Sequence, residues 1–174
     1  MAKQAEKPSP LPYLALLLAS AVPGAGHMYL GRVRRGVIIF ITIGALFWSG
    51  VAIGGVLTVD SVRERWWFVA EMLTGVHGLI GWHRQRKVYD KVLANERLDL
   101  RDPHDQAVLD ARLQAEGVAL VTPADTAARA YAGVAGLLNL MCIFDALMLS
   151  IMGVRGEPPP QADKPKQEAK APKK

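Results

Sequence analysis

Glycines and arginines crowd one stretch of this sequence, residues 22–36, which reads VPGAGHMYLGRVRRG. Such residues can cradle a phosphate, so we compare the stretch with two nucleotide-binding motifs. A dinucleotide fingerprint needs a third glycine where Tyr29 stands, and a phosphate loop needs a lysine and a hydroxyl where Arg32 and Val33 stand. The stretch therefore lacks the chemistry of either motif.

Polar side chains inside long apolar runs form a second set of candidates: Glu71, His77, Asn139 and Asp145. Burying an ionisable group in a membrane costs about 2.5–3.5 kcal/mol on insertion scales, so such residues are functional candidates by default. If every apolar run spans a bilayer, Glu71 and Asp145 lie toward one face and can share a proton or a cation. His27 and His77 then lie toward the opposite face, with Asn139 nearer the middle.

A structural interpretation of the same residues stays open. Glu71 can pair with Arg63 or Arg65 near the interface, and Asp145 can accept hydrogen bonds from a neighbouring helix. The two histidines can sit at the level of the lipid headgroups. Under this interpretation none of these side chains carries a proton or an ion across the membrane.

The sequence gives no sign of an enzyme or of a metal site. His77 and His83 are six residues apart and so point to different faces of a helix, while Cys142 is the single cysteine. The serines and threonines lack a nucleophile signature such as G-x-S-x-G. We expect no catalytic residues, no metal and no cofactor.

The elements that must position these residues are apolar. Four segments are long or apolar enough to enter a membrane, namely residues 11–30, 36–59, 66–82 and 131–154. The first is interrupted by Pro23, Gly24 and Gly26, which predicts a kink or break, so it either spans or re-enters; a cleaved signal peptide is the alternative. The sequence thus predicts an all-α, polytopic helical membrane protein with four apolar segments.

Composition divides the chain further. Residues 1–10 and 156–174 are polar and, in the second case, rich in Pro and Lys, so we expect disordered tails. Between them we predict a three-segment membrane region at 11–87 with the glycine turn at 22–36, a polar helical connection at 88–125, and a final membrane helix at 126–155. In the connection Asp102 can cap a helix that Pro103 begins and Gly117 closes. Thr122 and Pro123 repeat the start signal before the final helix.

The formal net charge is +5, but the basic residues flank apolar blocks rather than forming a nucleic-acid groove. We therefore expect Arg32, Arg34 and Arg35 to contact anionic lipid headgroups, and no nucleic acid. With four spans, the loops holding these arginines and residues 83–125 share one side, and both tails share the other. Eight Lys and Arg near the spans on the first side against five on the second favour cytoplasmic loops and external tails. If the first segment re-enters, the amino-terminal tail becomes cytoplasmic too.

The glycine stretch has the features of a turn at a membrane boundary. Pro23 ends a helix, Gly24 and Gly26 allow close approach, Tyr29 suits the headgroup level and Gly31 turns the chain. With His27, these residues resemble the P-G-x-G-x-x-Y-L-G signature of the two-transmembrane domain superfamily and its bacterial relatives of unknown function. The resemblance covers roughly residues 11–59 and implies a first helix, a short basic linker and a second helix. It implies no activity, and the aspartate-arginine-phenylalanine linker motif of some members is replaced by RVRR.

Small residues recur at helical spacing in the apolar segments: Gly50, Gly54, Gly75, Gly78, Ala132 and Gly136. Such faces let helices approach closely where lipid removes the hydrophobic drive for association. The faces pack either within this chain or against a partner or second copy. We expect an integral protein of the bacterial inner (cytoplasmic) membrane that is a structural or accessory component of an assembly. The rival functions are a small transporter or proton-conducting subunit using Glu71 and Asp145, and an envelope factor tethered by its basic tail.

Overall fold

The computed structural model describes residues 11–61, 65–93, 98, 102–118 and 124–157. Over these residues the chain is helical, with no strand. The α-helices are α1 (Pro12–Ala21), α2 (Ala25–Tyr29), α3 (Val33–Gly54), α4 (Arg65–Met72), α5 (Val76–Leu93), α6 (Pro103–Ala115) and α7 (Asp125–Ile151), and a short 3-10 helix covers Val56–Thr58. Within this part of the chain, α3 and α7 are the two helices long and apolar enough to cross a membrane, so four spanning segments are not confirmed.

Helices α3 and α7 form an antiparallel pair at the centre of the molecule. They have 22 and 27 residues, so at about 1.5 Å per residue each is longer than a hydrocarbon layer of ~30 Å. Gly50 near the end of α3 lies against Ala128 and Ala132 at the start of α7. Asp145 near the end of α7 contacts Arg35 at the start of α3. We call the Arg35 end of the bundle the linker end and the Ala128 end the cap end.

The first apolar segment breaks near Pro23, as the sequence predicts, and the chain turns back on itself there. Helix α1 ends at Ala21, and Gly24 takes a left-handed φ of +79° before α2 begins. Any side chain at Gly24 would clash with the backbone of Gly36 on α3. The Leu11 N–H donates to the Tyr29 hydroxyl at 3.2 Å, so the start of α1 and the end of α2 both lie at the linker end. This geometry corresponds to the re-entrant alternative.

The third apolar segment is not one continuous helix, so the prediction of a single span over residues 66–82 is wrong. Helices α4 and α5 are separated by a turn at residues 73–75, where Gly75 has a φ of +63°. The Thr74 hydroxyl donates to the Glu71 carbonyl at 2.6 Å and satisfies a backbone oxygen that the broken helix leaves open. The segment is therefore a second helical hairpin.

The second hairpin enters the bundle from the cap end. Helix α4 follows α7 inward, with Trp67 beside Gly133 and Ala70 beside Gly136. Helix α5 then returns along α3, where Gly81 lies against Phe47. The two hairpin tips meet inside the bundle, since Gly75 lies against the carbonyls at the end of α1.

This arrangement overturns the predicted sides of the loops. The Gly156 N–H donates to the Leu30 carbonyl at 2.9 Å, so the chain after α7 lies beside the arginine linker. The end of α5 instead lies at the cap end, where Tyr89 contacts Asp60. A four-span chain would have put the linker with the start of the polar connection and apart from residues 152–157. The prediction fails because two hairpins replace two spans and each hairpin returns to the side it came from.

A small polar cap closes one end of the bundle. Helix α6 begins as predicted: the Asp102 carboxylate accepts from the His104 N–H at 2.9 Å, and Pro103 is the first helical residue. Its apolar face packs Leu109 and Leu113 against Leu57 and α5. Helix α5 runs to Leu93, so the boundary predicted at residue 88 falls inside a helix. The predicted Thr122 and Pro123 signals and the tails at 1–10 and 158–174 lie outside the described residues.

Bulky apolar side chains cover the outside of the long helices. On α7, Leu137, Met141, Phe144 and Met148 recur on one face and are 53%, 70%, 57% and 53% exposed. Similar exposure occurs along α3, for example at Ile38. A soluble monomer rarely exposes apolar patches larger than a few hundred Å². The exterior of the bundle therefore suits hydrocarbon better than water, which supports a membrane protein.

Candidate functional site

Buried polar side chains lie along the interior of the bundle, and they form its candidate functional site. Within the described part of the chain they are His27, Thr58, Asp60, Glu71, Thr74, His77, Gln85, Asn139 and Ser150. A buried polar atom without a hydrogen-bond partner costs about 1–3 kcal/mol, more if charged. The partners that each side chain finds, or lacks, therefore separate structural roles from candidate chemistry.

At the linker end, three elements meet through one carboxylate. His27 on α2 places Nε2 2.7 Å from Asp145 Oδ2, and the Arg35 guanidinium on α3 lies 3.1 Å from the same oxygen. Because a carboxylate only accepts, His27 donates through Nε2. The ring of His27 is buried, whereas Arg35 and Asp145 are partly exposed. The contact holds the short helix α2 between the two long helices.

The prediction that His27 and Asp145 lie toward opposite faces is wrong. It assumed that the first segment spans the bilayer, whereas α1 and α2 form a hairpin that brings His27 back to the linker end. The pairing of Glu71 with Asp145 is also wrong, because α4 lies beside the first half of α7 and Asp145 lies in the second half. The structure thus brings Asp145 to His27 and separates it from Glu71.

Asn139 lies where the two hairpin tips meet. Its Nδ2 donates to the Leu73 carbonyl at 2.8 Å and approaches the Ala19 carbonyl at 3.5 Å. Leu73 lies in the turn after α4, and Ala19 lies in the last turn of α1. Helix ends leave backbone carbonyls open, and in a membrane interior such groups need a partner from the protein. Asn139 supplies that partner to both broken helices.

Glu71 differs from the other buried carboxylate, Asp60, because its oxygens form no hydrogen bond. It is fully buried on α4, and neither carboxylate oxygen has a hydrogen-bond partner among the described residues. The charges of Arg129 and Asp60 act on it with opposite sign. Of the two partners proposed from the sequence, Arg65 makes no hydrogen bond to either oxygen, and Arg63 lies outside the described residues. A buried, unpaired carboxylate is costly, so Glu71 is the residue most in need of a functional explanation.

His77 is held by aromatic neighbours on α3. The Trp48 indole N–H donates to His77 Nδ1 at 3.3 Å, so the neutral ring carries its hydrogen on Nε2. The rings of Phe40 and Phe47 have centroids 5.0 and 6.3 Å from that of His77. Gly44 gives the imidazole room, since a Cβ there would lie 3.0 Å from the ring. His77 is therefore buried within the bundle, beside the middle of α3.

Sequence reasoning missed a polar cluster near the cap end. The buried carboxylate of Asp60 accepts from Gln85 Nε2 at 3.2 Å and from the Tyr89 hydroxyl at 3.1 Å. Gln85 and Tyr89 are four residues apart on α5, which puts them on one helix face and was the available signal. Asp60 precedes them by 25 residues or more, so only the hairpin brings the three together.

The predicted membrane-turn residues form the linker end. Gly31 has a φ of +79° and turns the chain into α3. The Arg34 N–H donates to Glu157 at 3.1 Å, and Arg32 has a buried Nε without a hydrogen-bond partner. Gly26 packs between α1 and α7, where a Cβ would lie 2.6 Å from the Ala15 carbonyl oxygen.

The small residues predicted as packing faces make close contacts within the chain. A Cβ at Gly50 would lie 2.5 Å from the Ala128 carbonyl, and one at Gly136 would lie 1.8 Å from the Ala70 carbonyl. A Cβ at Gly54 would lie 2.5 Å from the Cβ of Ala128, and one at Gly78 would lie 2.5 Å from the Glu71 carbonyl oxygen. Backbone therefore approaches backbone at the α3–α7 and α4–α7 contacts.

The ionisable side chains of this interior are groups that can exchange protons. Ionisable groups lie in both halves of the bundle, with Asp145 and His27 paired at the linker end and Glu71 unpaired deeper inside. Asn139, between the halves, can accept or donate a hydrogen bond but does not ionise. Among the described residues, no three His, Cys, Asp or Glu side chains are grouped so as to hold a metal ion.

Comparison with known proteins gives a family but no activity. Over 29 residues the chain is 55% identical to an uncharacterised protein of Methanocaldococcus jannaschii, a stretch that makes up 17% of this chain and 29% of that protein. No solved structure matches the chain. Residues 14–157, which include both hairpins and both long helices, match the "Family of unknown function (DUF6677)". The chain therefore belongs to this family of unknown function.

Proposed function

We propose that the protein is an integral component of the bacterial cytoplasmic membrane, without enzymatic activity, that serves as a structural or accessory subunit of a membrane assembly. The observation that carries this proposal is the apolar face of α7 formed by Leu137, Met141, Phe144 and Met148. These side chains follow the spacing of a helix-packing stripe. The small residues of α7 are used against α3 and α4, so this outer face is what a neighbouring helix would meet.

The likeness to the two-transmembrane domain superfamily supports the same proposal. Its signature, residues 23–31, forms the turn and the second arm of the first hairpin. The signature leads into the basic linker and α3, the first of two long apolar helices. We extend to this chain the membrane location and the linker architecture of that superfamily. Arg32, Arg34 and Arg35 then lie where they can contact anionic lipid headgroups.

The accessory role is tested by gentle detergent extraction of the tagged protein from its native host, followed by sizing and mass spectrometry. We expect a partner in stoichiometric amount. The variant Met141→Trp/Met148→Trp keeps the stripe apolar but changes its shape, so it should release the partner. Met141→Leu/Met148→Leu conserves volume more closely and is the matched control. A monomer or homo-oligomer in every sample would contradict the accessory role.

A second candidate function is proton transfer, and the unpaired carboxylate of Glu71 favours it. A buried carboxyl group without a hydrogen-bond partner is tolerated best in its neutral form, so a proton bound there can be exchanged. Under this proposal Glu71 accepts a proton from one side of the bundle and returns it during each transfer. Asp145, engaged by His27 and Arg35, acts separately at the linker end.

Proton transfer is tested with the purified protein in vesicles that carry a pH-sensitive dye. We expect the wild type to dissipate an imposed pH gradient and Glu71→Gln to lose this activity, since the amide has the same shape but carries no exchangeable acid. Glu116→Gln, on the exposed surface of the cap, is the matched control and should retain the flux. Equal flux in the wild type, in Glu71→Gln and in protein-free vesicles would exclude this function.

A further inference from the structure

The buried carboxyl group of Glu71 leans toward the cap end of the bundle. Helix α4 runs inward from that end, with Ala70 beside Gly136 of α7, and Glu71 lies on its last turn. Side chains on a helix lean toward its amino-terminal end, so the carboxyl group leans away from the hairpin tips. Its charged neighbours are therefore expected in the cap half of the bundle.

Two charged groups of the cap half act on Glu71 from different elements. The charge of Asp60, between α3 and α4, disfavours a carboxylate at Glu71, whereas the charge of Arg129 on α7 favours one. Asp60 is buried, and its two oxygens accept hydrogen bonds from Gln85 and Tyr89 on α5, as a carboxylate does. Glu71 is thus subject to one charge of each sign, and both come from the cap half.

Polar groups continue from this region to the surface of the cap end. Arg129 forms an ion pair with Asp125 at 2.7 Å, and the two side chains reach the surface with 18% and 16% exposure. Thr58, two residues before Asp60, has a buried hydroxyl without a hydrogen-bond partner among the described residues. Unpaired buried groups of this kind are the usual partners of internal water molecules. The cap half therefore offers Glu71 a polar connection to solvent.

Apolar side chains lie on the other side of the hairpin tips. Toward the linker end, Ile143 and Ala146 of α7 pack with Ala19 of α1. Along α7 this cluster lies between Asn139 at the tips and the end of the bundle where His27 meets its carboxylate partner. The amide of Asn139 does not ionise, so it cannot act as an acid or base toward Glu71. The linker half thus lacks the polar continuity of the cap half in the part of the chain that is described.

His77 is the ionisable group that α5 places near the tips. Its Nδ1 accepts from the Trp48 indole N–H at 3.3 Å, so the ring is neutral. The rings of Phe40 and Phe47 lie beside it on α3. A neutral imidazole adds no net charge, so the charges of the cap half dominate at Glu71.

We propose that, in this conformation, Glu71 exchanges its proton with solvent at the cap end, that Asp60 and Arg129 set the pH at which it does so, and that the joined hairpin tips close it off from the linker end. Access from the cap end deepens the proton-transfer candidate and rests on it in one respect, namely that Glu71 binds an exchangeable proton. In each exchange an O–H bond forms or breaks at a carboxyl oxygen of Glu71, and the proton comes from or returns to water at the cap end. Release toward the linker end then requires the tips to separate at Asn139.

The role of the two charges is tested by infrared titration of the purified protein in lipid vesicles. The band of the protonated Glu71 carboxyl group is identified by its absence from Glu71→Gln. Asp60→Asn removes a negative charge, so the pH of half-protonation should fall, whereas Arg129→Gln removes a positive charge and should raise it. We expect changes of about one pH unit, the lower end of the effect of a neighbouring unit charge. A structural disturbance alone would not move the two variants in opposite directions.

Two further variants complete this titration. Arg129→Lys keeps the positive charge and should titrate near the wild type. Asp145→Asn removes a charge from the linker end of the bundle and should leave the Glu71 band unchanged. A change in Asp145→Asn as large as that in Asp60→Asn would contradict control from the cap half. Changes of the same sign in Asp60→Asn and Arg129→Gln would contradict it equally.

Access from one side is tested in vesicles sorted by the orientation of the protein. In a Cys142→Ala background, Gln114→Cys on the exposed surface of α6 is labelled with an impermeant biotin maleimide, and vesicles whose cap end faces outward are captured. The external pH is then stepped against a strongly buffered interior. We expect the Glu71 band to respond at once in captured vesicles and only slowly in uncaptured ones. An immediate response in uncaptured vesicles would overturn closure of the linker side.

The infrared band also separates cap-end access from proton transfer itself. A wild-type protein without a titrating Glu71 band would contradict proton binding at Glu71, so both proposals would fall. A band that titrates but follows the pH of the linker side, or that is insensitive to Asp60 and Arg129, contradicts cap-end access alone. Proton transfer would then still be decided by the flux assay with Glu71→Gln.

Discussion

Replacement of Gly136 by alanine tests whether α4 packs along α7 as half of a hairpin. A Cβ at Gly136 would lie 1.8 Å from the Ala70 carbonyl oxygen, whereas real Cβ atoms stay at least 3.0 Å away. Helix α4 must therefore shift by more than 1 Å, and the obstacle is backbone rather than a movable side chain. Overpacking of this kind costs about 1–3 kcal/mol or more.

The same helix supplies a matched control at Gly133. A Cβ there would lie 2.7 Å from the ring of Trp67, which is 39% exposed and can rotate away. Alanine is favoured over glycine by about 1 kcal/mol inside a helix, and both variants gain this contribution. We expect Gly133→Ala to change the free energy of unfolding by no more than about 1 kcal/mol and Gly136→Ala to lower it by about 2 kcal/mol.

Thermal unfolding of both variants in one detergent measures the difference. For a chain of this size about 2 kcal/mol corresponds to a decrease in Tm of about 4–8 °C. Sizing before heating confirms that each variant is folded and of one oligomeric state. Equal Tm values for Gly136→Ala and Gly133→Ala would refute the close contact of α4 with α7 and would favour a differently placed third segment.

Three further substitutions test the interior and the cap. Asn139→Leu should lower the Tm, because it leaves the carbonyls of Ala19 and Leu73 without a donor at a cost of about 1–3 kcal/mol for each buried group. Asp145→Leu should speed amide exchange in α2, because it removes the acceptor of His27, whereas Asp145→Asn keeps an acceptor oxygen and should speed it less. Asp102→Ala should speed amide exchange within α6 alone, since loss of an N-cap costs about 1 kcal/mol.

Local signals in the sequence predicted the long helices and the first break correctly. The residues of α3 carry no charge after Arg35, so their hydropathy alone identifies a long apolar helix. Pro23 and Gly24 predict a break, because proline disfavours a helical conformation before it and glycine tolerates the left-handed one. The cap at Asp102 follows equally from chemistry within four residues.

The third segment shows what hydropathy does not distinguish. A hairpin whose two arms are buried in lipid is as apolar as a single span, so Trp66 and Trp82 at its ends fit both. The distinguishing signal was Thr74-Gly75 in the middle, a hydroxyl that can bond a helix-end carbonyl followed by a residue that tolerates positive φ. Mistaking a hairpin for a span also exchanges the predicted sides of every later loop, which explains why the four-span prediction separates residues 152–157 from the linker.

The buried polar residues of the bundle are of two kinds, those that form hydrogen bonds and those that do not. Asn139 and Thr74 donate hydrogen bonds to backbone carbonyls that the helix breaks leave open. The carboxylate of Asp60 accepts hydrogen bonds from Gln85 and Tyr89. Glu71 does neither, although it lies in the same hairpin and is as deeply buried. An apolar side chain of similar size would fill the position of Glu71 without burying a polar group. The carboxyl group of Glu71 is costly to bury because it has no hydrogen-bond partner, so packing alone does not explain it. If Glu71→Gln leaves both proton flux and assembly unchanged, the functional interpretation of Glu71 fails, whereas the structural roles of Asn139, Thr74 and Asp60 still rest on their own hydrogen bonds.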